Sequence, residues 1–198
     1  MGTVVRADTR WNNLNTAFGS YLAYIAKKRP RLSLSYVDLL YVSNFKGGNA
    51  SIVDPSTEVN KRLKRYSMEL MRIKKAAFQD KRLGDLTNLQ LAQFVDLANT
   101  FIHLPFKPNT RIRGFKASNA SALLAAHFPH LAPVLDRNVL VGAAIDHRKN
   151  GQKQVMKIES YYGELIRRLH RLQKHSRQSL REVDHDLFVA GSGKLADK

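Results

Sequence analysis

Asp54-Pro55-Ser56-Thr57-Glu58-Val59-Asn60-Lys61-Arg62-Leu63-Lys64-Arg65-Tyr66-Ser67-Met68-Glu69-Leu70-Met71-Arg72-Ile73-Lys74-Lys75-Ala76-Ala77 is the stretch that decides the fold class. Asp54 reads as a helix N-cap and Pro55 as the first helical residue, where a missing N–H costs nothing. Val59, Leu63, Tyr66, Leu70, Ile73 and Ala77 then fall on one helical stripe. Lys61, Arg62, Lys64, Arg65, Arg72, Lys74 and Lys75 take the opposite face. An apolar stripe must be buried against something, and the flanking segments supply further helices to bury it.

Upstream, Trp11, Leu14, Phe18, Tyr21, Leu22 and Ile25 recur at helical spacing until Lys27-Lys28-Arg29-Pro30 stops them. Ser35 to Val42 predicts one or two helical turns, and Asn44-Phe45-Lys46-Gly47-Gly48-Asn49 a loop. Downstream, Thr87 caps a helix whose inner face is Leu91, Phe94, Val95, Ala98, Phe101 and Ile102, broken by Pro105 and Pro108. Ser118 to Phe128 predicts a short helix of small residues, and Asp136 starts another after Pro133. A long helix is expected from Gln152 to about His175, with Val155, Ile158, Tyr162, Leu165, Ile166, Leu169 and Leu172 facing inward. Ser179 and Glu182 form a capping box for a last helix through Leu187, and the tail from Gly191 is expected to fray. No segment alternates like a strand and no repeat appears. The expected fold is all-α: about eight helices in a compact, single globular unit spanning 1–198.

The chain has 198 residues, with 33 Lys and Arg against 16 Asp and Glu, a net charge of +17 and a pI near 10.3. A surplus that large repels itself in the compact state, and a polyanion offsets it, so nucleic acid is the expected partner. Cysteine is absent. That excludes disulfides, thiolate zinc, cysteine-ligated iron–sulfur clusters and a cysteine nucleophile. No run approaches the roughly 18 apolar residues of a membrane span, and Met1 to Trp11 lacks a signal-peptide core. The expectation is a cytoplasmic protein with no membrane partner.

The cations cluster. Residues 61–82 hold nine Lys or Arg and two acids, and residues 147–181 hold ten and two. Each cluster alone is an ordinary solvated helix face. Together with the acid-free stretch carrying Lys107, Arg111, Arg113 and Lys116, they favour a phosphodiester backbone as ligand. Lys61, Lys64 and Arg65 are the expected contacts on the first cluster. In Ile112-Arg113-Gly114-Phe115-Lys116-Ala117-Ser118-Asn119-Ala120-Ser121-Ala122-Leu123-Leu124, a glycine turn leads into a small-residue helix whose first amides are free to donate to phosphate. The same pattern also reads as a plain helical corner.

The stretch Gly114 through Val139 resembles the hairpin and following helix of the helix-hairpin-helix DNA glycosylase superfamily. An apolar residue, a glycine hairpin, a small-residue helix and, about two dozen residues on, an Asp opening another helix are all present. The resemblance implies a central helix-hairpin-helix near 112–124 between two helical lobes. Residues 30–135 would form one lobe, 1–29 and 136–190 the other, and 191–198 the tail. It implies DNA in preference to RNA, phosphate contacts from Arg111, Arg113, Gly114, Lys116, Ser118 and Arg137, and Asp136 as the carboxylate beside the sugar of an extruded base. Lys116 stands where the family has a second hairpin Gly. Ser118 stands where bifunctional members carry a Schiff-base Lys, so any activity would be that of a monofunctional hydrolase without a cofactor.

Other readings stay open. Asp136 also reads as a helix cap alone, within a non-catalytic DNA- or RNA-binding module or a catalytically divergent relative. Arg168 and His175, seven apart on the expected long helix, suit a helical ribonuclease or toxin-like protein. His127 and His130 flank Pro129 and complete no metal set. Gly191-Ser192-Gly193-Lys194 lacks the spacing and preceding strand of a phosphate-binding loop.

Overall fold

The computed structural model describes residues 2–46, 52–76, 78, 80–152 and 154–196. Eight α-helices account for the regular structure among them: α1 (Gly2–Lys27), α2 (Tyr36–Phe45), α3 (Ser56–Lys75), α4 (Asn88–Ile102), α5 (Ala117–His127), α6 (Arg137–Gly142), α7 (Tyr162–Lys174) and α8 (Leu180–Ala196). Single 3-10 turns lie at Leu83–Asp85, Leu104–Phe106 and Ile158–Tyr161. One isolated antiparallel bridge joins Lys149 and Val155, and the described residues form no strand.

One hydrophobic cluster runs through all eight helices. The stripes read from the sequence supply it: Val59, Leu63, Tyr66, Leu70 and Ile73 from α3, and Phe94, Val95, Ala98, Phe101 and Ile102 from α4. Ala77 lies outside the described residues. At the centre is α5, where every residue but Ser118 is buried. Alanines at 117, 120, 122, 125 and 126 leave no side chain beyond Cβ, so α1, α2 and α4 can all close on this helix. Its polar members are satisfied locally. The Ser121 hydroxyl donates to the Ser118 carbonyl at 2.8 Å and accepts the Leu135 N–H at 2.8 Å.

α6 and α8 cross in backbone contact. A Cβ built on Gly142 would lie 1.9 Å from the Leu187 carbonyl oxygen, and one on Gly191 would lie 1.8 Å from that of Asn138. Only glycine permits this approach.

Four local expectations are corrected. Asp54 does not cap α3; Pro55 occupies that position. The Asp54 carboxylate instead accepts from the Arg113 backbone N–H at 2.9 Å and from the Arg62 and Arg113 guanidinium groups. Three donors outcompete a single capping amide. Gln152 and residues 154–157 are not helical, because the Asn150 side chain takes the Gln152 and Gln154 amides and Lys157 sits at φ 48°. Leu172, expected to face inward, is exposed. α2 continues to Phe45, so the expected loop starts later; Gly47, Gly48 and Asn49 lie outside the described residues. Finally, α8 runs to Ala196, and Gly191, where fraying was expected, is buried against α6. No described helix is long and apolar enough to cross a membrane.

Candidate nucleic-acid interface and carboxylate cleft

Asp136 is placed by its neighbours on both sides. The Ser121 hydroxyl holds the Leu135 amide. Asp136 then caps α6, its Oδ1 accepting the Asn138 N–H at 2.9 Å. Its other oxygen meets Lys46 Nζ at 3.1 Å. Burial alone pushes this carboxyl up. Lys46, the Asn138 amide and Arg10 outweigh burial and hold it below the ordinary carboxylate value.

Asp136 opens into a cleft of about 810 Å³ that also takes in Gly114, Lys116, Ser118 and Asn119. The turn and the carboxylate, distant in sequence, therefore share one cavity. Gly114 adopts φ 87°, which explains a glycine there. Arg10, Lys46, Lys116 and Arg181 line the cleft against the two carboxylates Asp136 and Asp184, so positive charge predominates.

Sequence reading missed Arg181, Asp184, Lys46 and Arg10. Arg181 lies over Trp11 with its guanidinium carbon 3.9 Å from the ring centroid, and close to Phe18 and Phe45 at 4.8 and 5.4 Å. It donates to Asp184 Oδ2 at 2.9 Å and to Asn15 Oδ1 at 3.0 Å. Asp184 is 1% exposed. Burial pushes its carboxyl up to about 6, helped by Asp136 and opposed by Arg181 and Lys46. Arg181 Nη2 and Asp184 Oδ1 are buried without a hydrogen-bond partner. A basic residue three positions before an acid on one helix face was the only signal for this pair, and solvated pairs give the same signal.

A second groove, of about 400 Å³, adjoins the cleft at Gly114 and Lys116 and is lined by Arg111, Arg113, Pro105 and Phe106. Arg113 is anchored to Asp54, whose carboxyl is held below its ordinary value first by the Arg113 amide and then by the guanidinium. Arg111 is exposed, and its carbonyl accepts from Arg62 at 2.6 Å.

The remaining candidates lie elsewhere. Lys61 pairs with Glu58 at 2.7 Å and Arg65 with Glu69 at 2.9 Å; neither they nor Lys64 line the cleft. Arg137 is half-buried beside Asp136, its Nε without a partner, and is not part of the cleft lining. Arg168 and His175 do not share the helix expected of them: α7 ends at Lys174 and His175 follows it in a non-helical conformation. Neither reaches the cleft. The described residues contain no group of three metal-ligating side chains.

No family model, curated protein or solved structure matches this chain.

Proposed function

We propose that the protein binds nucleic acid, DNA in preference to RNA, across the 111–118 turn, and acts as a monofunctional glycosylase-like hydrolase on a base turned into the cleft. One observation carries this reading: Gly114, Lys116, Ser118 and Asp136 line a single cation-rich cavity large enough for a nucleoside.

The roles follow from the chemistry. Lys116 and Arg10 offer charge to phosphate oxygens, and Lys46 keeps Asp136 ionised. As the bond from the sugar to the base breaks, positive charge develops on the sugar, and a fixed carboxylate lowers the energy of that state. Water then adds to the sugar carbon and the departing base takes up a proton. The ionised state of Asp136 suits electrostatic support better than proton donation.

The test uses the purified full chain with duplex and single-stranded oligonucleotides, each carrying one uracil, hypoxanthine, etheno-adenine or alkylated purine. Asp136→Asn should keep binding and lower base release by about 100-fold or more. Binding that persists in the wild type with no base released from any substrate overturns the enzyme reading and leaves a binding module whose Asp136 serves as a helix cap. Affinity that does not fall with salt overturns nucleic-acid binding itself.

A further inference from the structure

The groove beside the cleft has a feature that its cations alone do not explain. Phe106 is 50% exposed at its rim. The ring is not on a loose loop: the 3-10 turn that bears it is tied by the Phe106 N–H to the His103 carbonyl at 3.1 Å and the Lys107 N–H to the Leu104 carbonyl at 3.2 Å. The Thr110 hydroxyl donates to the same Leu104 carbonyl at 2.6 Å. An apolar ring is thus carried into water by a braced turn beside Arg111 and Lys116, with the His103 ring 6.3 Å away as its aromatic neighbour. No acid occurs between Asp96 and Asp136 in the sequence, and of the groove's cations the fold pairs Arg113 with an acid, Asp54, which it shares with Arg62. Among the described residues Arg111 and Lys116 have no carboxylate partner.

We propose that this groove holds a second, unpaired nucleotide, its base stacked on Phe106 and its phosphate between Arg111 and Lys116. The proposal rests on the nucleic-acid reading above and narrows its ligand. A flat aromatic platform next to two unneutralised cations matches a heterocycle that carries a phosphate. Gly114 and Lys116 belong to both cavities, so a strand with one nucleotide in the cleft passes its neighbour directly over the ring. A base engaged in a duplex cannot present its face to Phe106. The preferred ligand is therefore a strand with an unpaired nucleotide: single-stranded, bulged or frayed.

Fluorescence anisotropy at several salt concentrations tests this with three probes: a labelled single-stranded oligonucleotide, the same sequence as a duplex, and inorganic polyphosphate as competitor. The wild type should bind the single strand more tightly than the duplex. Phe106→Ala should weaken single-strand binding by about 5- to 100-fold and leave polyphosphate binding unchanged, since polyphosphate has no base to stack. Phe106→Tyr should retain the affinity. Arg111→Ala should weaken both ligands and reduce the salt slope by about 0.7. Phe106 is exposed, so unchanged thermal melting is expected of its variants. If Phe106→Ala leaves the single strand unaffected, or weakens polyphosphate equally, the stacking site is wrong while the cleft reading stands. If the wild type binds neither ligand, the nucleic-acid reading itself fails and takes this one with it.

Discussion

Lys46 and Asp136, 90 positions apart in the chain, meet at 3.1 Å on the wall of the cleft, where the end of α2 faces the start of α6. Asp136 titrates below its ordinary value in the folded protein, so its contribution to stability is present above the unfolded carboxylate pKa and is lost as pH falls through the folded one. Lys46→Met should therefore raise the Asp136 pKa, lower stability at pH 7 by about 1 kcal/mol and move acid unfolding to higher pH. NMR titration of the carboxyl and urea melts from pH 3 to 7 (roughly the window of carboxylate titration) check both.

Arg181 and Asp184 form a pair in which each partner is costly to bury without the other. Arg181→Met alone leaves an unpaired buried carboxylate, and Asp184→Leu alone leaves an unpaired guanidinium. Each should cost about 3–5 kcal/mol. The double variant should recover most of that loss, as a double-mutant cycle on denaturant unfolding will measure. Simple additivity of the two losses would show that the pair does not act as a unit.

His127 is buried, with both ring nitrogens unpartnered and its ring edge-on to Tyr21 at 6.2 Å. Burial pulls its imidazole down to about 4, against the pull of Asp38 and with the push of Lys28 and Arg31. A lowered folded pKa means full stability above about 6.5 and progressive loss from there down to about 4. His127→Leu should abolish that part of the acid loss and be neutral or slightly stabilising at pH 7. Asp184 works with the opposite sign, favouring the fold as pH falls from about 6 towards 3.8. Both proteins contain Asp184, so the difference between their stability curves isolates His127.

Gly142 and Gly191 sit where α6 and α8 touch backbone to backbone. Alanine at either position would place Cβ within 2 Å of a carbonyl oxygen, so the helices must separate. Each substitution should cost about 3 kcal/mol or more, measured by thermal melting. Because α8 carries Arg181 and Asp184, the same variants should disturb the cleft as well. Gly19→Ala, where a Cβ meets nothing within 4 Å, is the matched control and should be neutral or stabilising.

The stripes of α3 and α4 were legible because helical periodicity is a local property: each apolar position implies its neighbours three or four residues away. The Thr87 cap was legible for the same reason, and its hydroxyl accepts the Gln90 amide at 3.3 Å. The segment before Ile158 was misread because Val155 and Ile158 fit a helical period while Asn150, outside that window, captures the amides the helix would need. Asp54 was misread because two of the three donors that claim it come from Arg113, 59 residues away.

The sequence by itself determined an all-helical chain with a large cationic surplus, an Asp opening α6 and a glycine turn before α5. Those properties depend on residue type and short-range spacing. Only the tertiary structure decided that Asp136 and Gly114 share a cavity, and that Lys46, Arg181 and Asp184 join it while Lys61, Lys64 and Arg65 do not. The deciding contacts are the Ser121 bond to Leu135, the burial of α5 and the glycine crossing of α6 with α8. Each joins elements whose partner is set by three-dimensional packing, which no local pattern encodes.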